Sequence, residues 1–108
     1  MAKYLLIESR DAFESRDAGP WYELAADLLA AGNDVTVFLV HNGVLAARSG
    51  ARCAHFEQLL RTDVEVLADD FSLRERGIAN DRIVAGVKPA PLDVVVDRLA
   101  DGCRALWH

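Results

Sequence analysis

The segment Val35-Thr36-Val37-Phe38-Leu39-Val40 constrains this chain more than any other. It is β-branched, aromatic and almost wholly apolar, the pattern of a strand buried on both faces, and such strands belong to parallel sheets covered by helices. An earlier apolar run, Tyr4-Leu5-Leu6-Ile7, flanked by Lys3 and Glu8, reads as a second strand of the same kind. Between the two lies a helical pattern. Pro20 suits a first helical turn, Trp21, Leu24, Ala25, Leu28 and Leu29 form an apolar stripe, and Gly32 suits a left-handed cap. Strand, helix and strand in about 40 residues make a βαβ unit with a right-handed crossover.

The same alternation continues. Val44 to Arg48 predicts one or two helical turns, Ser49 to Arg52 a mobile loop, and Ala54 to Arg61 a short helix with Phe56, Leu59 and Leu60 inward. Val64 to Ala68 predicts a third strand, closed by Asp69 and Asp70, with Asp70 able to cap a helix over Phe71 to Arg76. Ile83 to Val87 reads as a weaker strand. Pro89 and Pro91 argue against regular structure there, and Pro91 suits the start of a last helix. That helix carries the stripe Leu92, Val95, Val96 and Leu99. Cys103 to Trp107 is the final strand. The expectation is one three-layer α/β/α domain over residues 1–108, with a mainly parallel five-stranded sheet.

Charge and composition narrow the partners. The net charge of −5, without a basic stripe, disfavours nucleic acid. The apolar run at the start is too short to span a membrane, so a cytoplasmic protein is expected. A hydrophobic fraction of 52% is high for 108 residues and points to burial between subunits. The two cysteines, Cys53 and Cys103, form no CxxC pair, which disfavours a metal site and fits reduced thiols. No Walker pattern, GxGxxG or GxSxG occurs, and no cofactor is expected.

In such sheets ligands bind beyond the carboxyl ends of the strands. Three such ends are polar here: Glu8, Ser9, Arg10 and Asp11, then His41, Asn42 and Gly43, then Asp69 and Asp70. His41 is suited to moving protons, or is simply bonded to loop backbone. Asn42-Gly43 is a turn or a close approach for a ligand. One of the two aspartates caps a helix, and acid–base work would need Glu8 or His41 beside the other. Cys53, near Arg48 and Arg52, is the better candidate for a reactive thiol, and Cys103 for a buried small hydrophobe.

The segments Val35 to Val44, with His41-Asn42-Gly43-Val44 after the strand, and Leu73-Arg74-Glu75-Arg76-Gly77-Ile78, together with the order of elements, resemble the DsrE/DsrF-like proteins, which include the TusD sulfur-relay subunits. The resemblance implies a compact α/β/α fold assembled as trimers or hexamers, with a sulfur-relay protein as a possible partner. In the relay members a cysteine just after the third strand carries sulfur as a persulfide. Counting back from Gly77, that position falls at Asp69, and a second cysteine of some members falls near Ser72. Neither is cysteine in this chain, and an aspartate cannot form the S–S link of a persulfide. The first expectation is therefore a divergent, oligomeric small-molecule- or partner-binding member related to sulfur metabolism. The alternatives are an active sulfur carrier using Cys53, and a small enzyme using His41 with Asp69.

Overall fold

The computed structural model describes residues 1–108. Five parallel strands, β1 (Lys3–Glu8), β2 (Asp34–Leu39), β3 (Glu65–Asp69), β4 (Val87–Ala90) and β5 (Arg104–Trp107), lie in the order β4-β3-β2-β1-β5. The central registers are Leu6 with Val37 and Val37 with Val66. The helices are α1 (Ala18–Ala30), a 3-10 helix (His41–Ala47), α2 (Ala54–Leu60), α3 (Asp70–Glu75), a 3-10 turn (Asn80–Arg82) and α4 (Asp93–Ala100).

Because side chains alternate along a strand, each strand feeds two cores. Leu6, Val35, Val37, Leu39, Val66 and Ala68 point to one face, where Tyr22 and Ala25 of α1, Phe56 and Leu59 of α2 and Leu73 of α3 cover them. Leu5, Ile7, Phe38, Val40 and Leu67 point to the other face, where α4 offers only Val94 and Val95. The expected α/β/α layering is thus present, with an all-parallel sheet.

Several element boundaries differ from the sequence reading. The fourth strand is Val87–Ala90 rather than Ile83 to Val87: Ile83 makes only an isolated bridge to Arg48, and Gly86 at φ +98° turns the chain first. Pro89 sits inside this strand because β4 is an edge, where one side needs no donor. Pro91 lies in the turn before α4, its carbonyl accepting from Val94. Pro20 is the third residue of α1, still within the first turn, where an N–H has no helical partner. The 3-10 helix begins at His41 instead of Val44. Of the α4 stripe only Val95 faces inward; Leu92, Val96 and Leu99 are all at least half exposed. This helix is held instead by Arg98, whose guanidinium donates to Thr36 Oγ1 at 2.6 Å and to Glu65 Oε1 at 2.7 Å.

Candidate functional site

The adjacency of β1, β2 and β3 brings their carboxyl ends side by side, but the polar groups there divide into two assemblies.

The first is at the ends of β1 and β5. The chain turns back across the sheet between these strands, the position where open α/β sheets form clefts. Here the space is filled from within. Glu8 is fully buried, and its carboxylate meets His108 Nδ1 at 2.9 Å and accepts from the Arg10 N–H at 2.9 Å. The His108 ring stacks on Trp21 at 5.2 Å, and its carbonyl accepts from the Ser9 N–H and hydroxyl. Glu8 is therefore a buried carboxylate whose two oxygens are both bonded within the chain. Ser9 and Asn42 border an open, wholly polar basin shared with Arg10 and Arg16.

The structure gives Gly43 a packing role. Its Cα packs against the end of β1, where a Cβ would overlap the Glu8 carbonyl oxygen. That oxygen also accepts from the Val40 N–H, so the contact cannot open freely.

The second assembly is at the ends of β2 and β3. Asp69 ends β3 and caps α3: its Oδ2 accepts from the Ser72 N–H at 3.0 Å and from the Ser72 hydroxyl at 2.6 Å. Asp69, not Asp70, is thus the cap. Ser72 Oγ in turn accepts from the His41 N–H at 2.9 Å. That bond ties α3 to the end of β2 and supports His41 at φ +51°, a backbone conformation that costs a non-glycine residue about 1 kcal/mol or more. Arg76 completes the link, donating to the Ser72 carbonyl and to Asn42 Oδ1. Asp69 and Ser72 are both buried.

His41, Asp69 and Ser72 open onto a crevice of about 350 Å³ whose other walls are apolar: Ile7, Val40, Phe71, Leu92, Val95, Val96 and Trp107. It lies on the α4 side of the sheet. His41 and Asp69 share this space, yet their connection runs through Ser72 and the His41 backbone, and no hydrogen bond joins the imidazole to the carboxylate. Asp70 lies outside the crevice, facing Arg74 at 3.9 Å.

The cysteines are elsewhere. Cys53 precedes α2 and packs against the core on the α1–α2 side, on the far side of the sheet from the crevice. Cys103 borders a basin with Lys3, Asp34 and Arg98 at the amino ends of the strands. No three His, Cys, Asp or Glu side chains gather as metal ligands would.

The hydrogen-bonding roles of Ser72, His108 and Arg76 were not among the sequence expectations, although the family resemblance had touched the positions of Ser72 and Arg76. Ser72 was legible as the third residue after a possible cap. His108 sits at a strand end as Glu8, His41 and Asp69 do, and β5 needed only to be placed beside β1. Arg76 carried no local signal.

A model of the DsrE/DsrF-like family matches residues 2–107. The crystal structure of the ychN protein from E. coli superposes with a TM-score of 0.88 at 20% identity, with 100% of both chains covered. The structure of MTH1491, a protein of unknown function from Methanobacterium thermoautotrophicum, gives 0.84 at 18% identity, again over 100% of both chains. At such identities the structural likeness speaks for the fold alone. No curated protein matches the sequence.

Proposed function

The chain belongs to the DsrE/DsrF-like family, and from that premise we propose that it is an oligomeric, small-molecule-binding member related to intracellular sulfur metabolism that works without a persulfide cysteine. The observation that carries this reading is the pair Asp69–Ser72. Where the family resemblance places sulfur chemistry, two oxygen side chains are hydrogen-bonded to each other at 2.6 Å and close the floor of a crevice. Cys53, the other route to a carrier, lies behind the sheet.

The oligomer is supported by what α4 leaves open. Leu92, Val96 and Leu99 are apolar at helical spacing and at least half exposed, with Phe71 and Trp107 nearby at 58% and 66%. A trimer or hexamer in the cytosol, contacting a sulfur-relay protein or simply itself, would cover this face. No helix is long and apolar enough to cross a membrane.

Incubation with polysulfide followed by thiol trapping and intact-mass measurement tests the central claim. No transferable sulfane adduct is expected on either cysteine. A persulfide on Cys53 that passes to a thiol acceptor, and vanishes in Cys53→Ser, would overturn it. Sedimentation showing only the 11.8 kDa species would remove the oligomer.

A further inference from the structure

The chain buries two carboxylates at the strand ends, and only one has a titratable side chain hydrogen-bonded to it; the His41 imidazole shares the crevice with the other but makes no bond to it. Glu8 is fully enclosed and has His108 against it. Asp69 is 7% exposed and is in no ion pair. Both hydrogen bonds that it accepts come from Ser72, a neutral residue, and both end on Oδ2. Its other oxygen, Oδ1, accepts none. The nearby cation, Arg76, is turned to the Ser72 carbonyl and Asn42, and neither arginine nor lysine lines the crevice. Buried charges in folded proteins are normally paired, because removing a charge from water is costly without compensation. The N-terminus of α3 and Ser72 answer Oδ2, whereas Oδ1 has no partner from the chain, and His41 is the one other titratable side chain on the crevice wall.

The walls say what kind of cation would fit. A hydrated metal ion needs several oxygen ligands, and the crevice offers one carboxylate, with the Ser72 hydroxyl already bonded to it and the His41 imidazole, among seven apolar side chains. An organic ammonium with an apolar body needs what is present: a carboxylate for the head, aliphatic surface from Leu92, Val95 and Val96 for the body, and aromatic rings, Phe71 and Trp107, which attract cations through their faces. About 350 Å³ is at the lower end of ordinary ligand pockets and suits a molecule of roughly ten heavy atoms.

We propose that the crevice at the ends of β2 and β3 is a site for a small hydrophobic amine, with Asp69 as the counter-ion of its ammonium group. The inference rests on the reading of this crevice as a ligand site and adds the chemical class of the ligand.

Calorimetric titration with three probes of one shape tests it: 2-phenylethylamine, 2-phenylethanol and phenylacetate. The amine is expected to bind most tightly, about tenfold or more above the alcohol, the ratio that a charged hydrogen bond confers, with the acid weakest. In Asp69→Asn, which keeps a cap acceptor for α3, the amine should fall to the affinity of the alcohol while the melting temperature is nearly kept. If amine and alcohol bind alike, the amine assignment is overturned while the crevice stands as an apolar ligand site. If none of the three binds at millimolar concentration, both the amine and the crevice as a ligand site are overturned. The comparison among probes on the unaltered chain decides the matter even if the variant fails to fold.

Discussion

The two faces of the sheet are built from equally apolar strands, yet they end in different states. On one, α1, α2, α3 and the 3-10 helix seal a cluster of 17 buried residues. On the other, α4 lies over a cluster of six and buries none of its own residues completely. The strand code does not distinguish the faces, since Leu5 and Leu6 are neighbours in sequence and both wholly buried. The connections do. Three successive crossovers place their helices on one side, and only the β4 to β5 crossover places a helix on the other. A small domain with one helix for a whole face leaves apolar surface in water, and surface of that kind marks ligand or subunit contacts. The crevice and the outward stripe of α4 are both on that face.

The largest expected contrast is between truncations on the two sides. Phe56 is 1% exposed and packs on Tyr22, ring centroids 5.3 Å apart. Phe56→Ala should cost about 3–5 kcal/mol in urea unfolding, from lost transfer energy and the cavity left behind. Val96, at 65% exposure, should cost less than about 0.5 kcal/mol as Val96→Ala when the chain is dilute and monomeric. A large cost for Val96→Ala that grows with protein concentration would instead show that a second subunit covers this face, and would sharpen the oligomer proposal.

A smaller effect tests how tightly the crowded face is sealed. Tyr22 is 1% exposed, and its hydroxyl, buried without a hydrogen-bond partner, has its pKa raised far above the usual 10.0. Burial is the main cause, with the charges of Glu8, Cys53 and Asp11 adding to it. The folded chain therefore keeps this proton where the unfolded chain releases it. Stability from this group is whole below about pH 10 and falls as pH rises above it, by up to about 1.4 kcal/mol per pH unit. Tyr22→Phe should remove that slope between pH 10 and 11, and be neutral or stabilising by about 1 kcal/mol at pH 7, since it deletes an unsatisfied hydroxyl. An unchanged alkaline slope would mean that water reaches the phenol and the seal is looser than the geometry indicates.

The same contrast explains what the sequence could tell. Strands buried on both faces announce themselves, as Val35 to Val40 does, because burial writes a continuous apolar run. The edge strand β4 does not: it contains Pro89 and is exposed at Lys88, so propensity pointed four residues upstream. The strand-end positions Glu8, His41 and Asp69 followed from strand ends alone. Their roles did not, because those depend on partners distant in sequence: His108 for Glu8, and Ser72 Oγ for the His41 N–H. The α4 stripe misled for a related reason. Helical periodicity reports that one side is apolar, not that this chain supplies what covers it.

The smallest effect concerns how α4 stays on its thinly covered face at all. With few apolar contacts, its anchor is Arg98, bonded to both Thr36 and Glu65 across the amino ends of β2 and β3. Partial burial alone would raise the Glu65 pKa. The hydrogen bonds from Arg98 and Thr36, with the Arg98 and Lys88 charges, outweigh it and hold the carboxyl below its usual value. Such a carboxylate stabilises the fold above its unfolded pKa of about 4.3, and that contribution is lost as pH falls through the lower folded value. The pair is partly solvated, so Arg98→Ala should cost only about 0.5–1 kcal/mol at pH 7, and the difference from the unaltered chain should shrink toward pH 3. Amide exchange in α4 should rise in the variant while exchange in α1 does not, because the crowded face does not depend on this contact. Equal loosening of both helices would show that the two faces unfold as one unit, and that the asymmetry between them is one of exposure but not of stability.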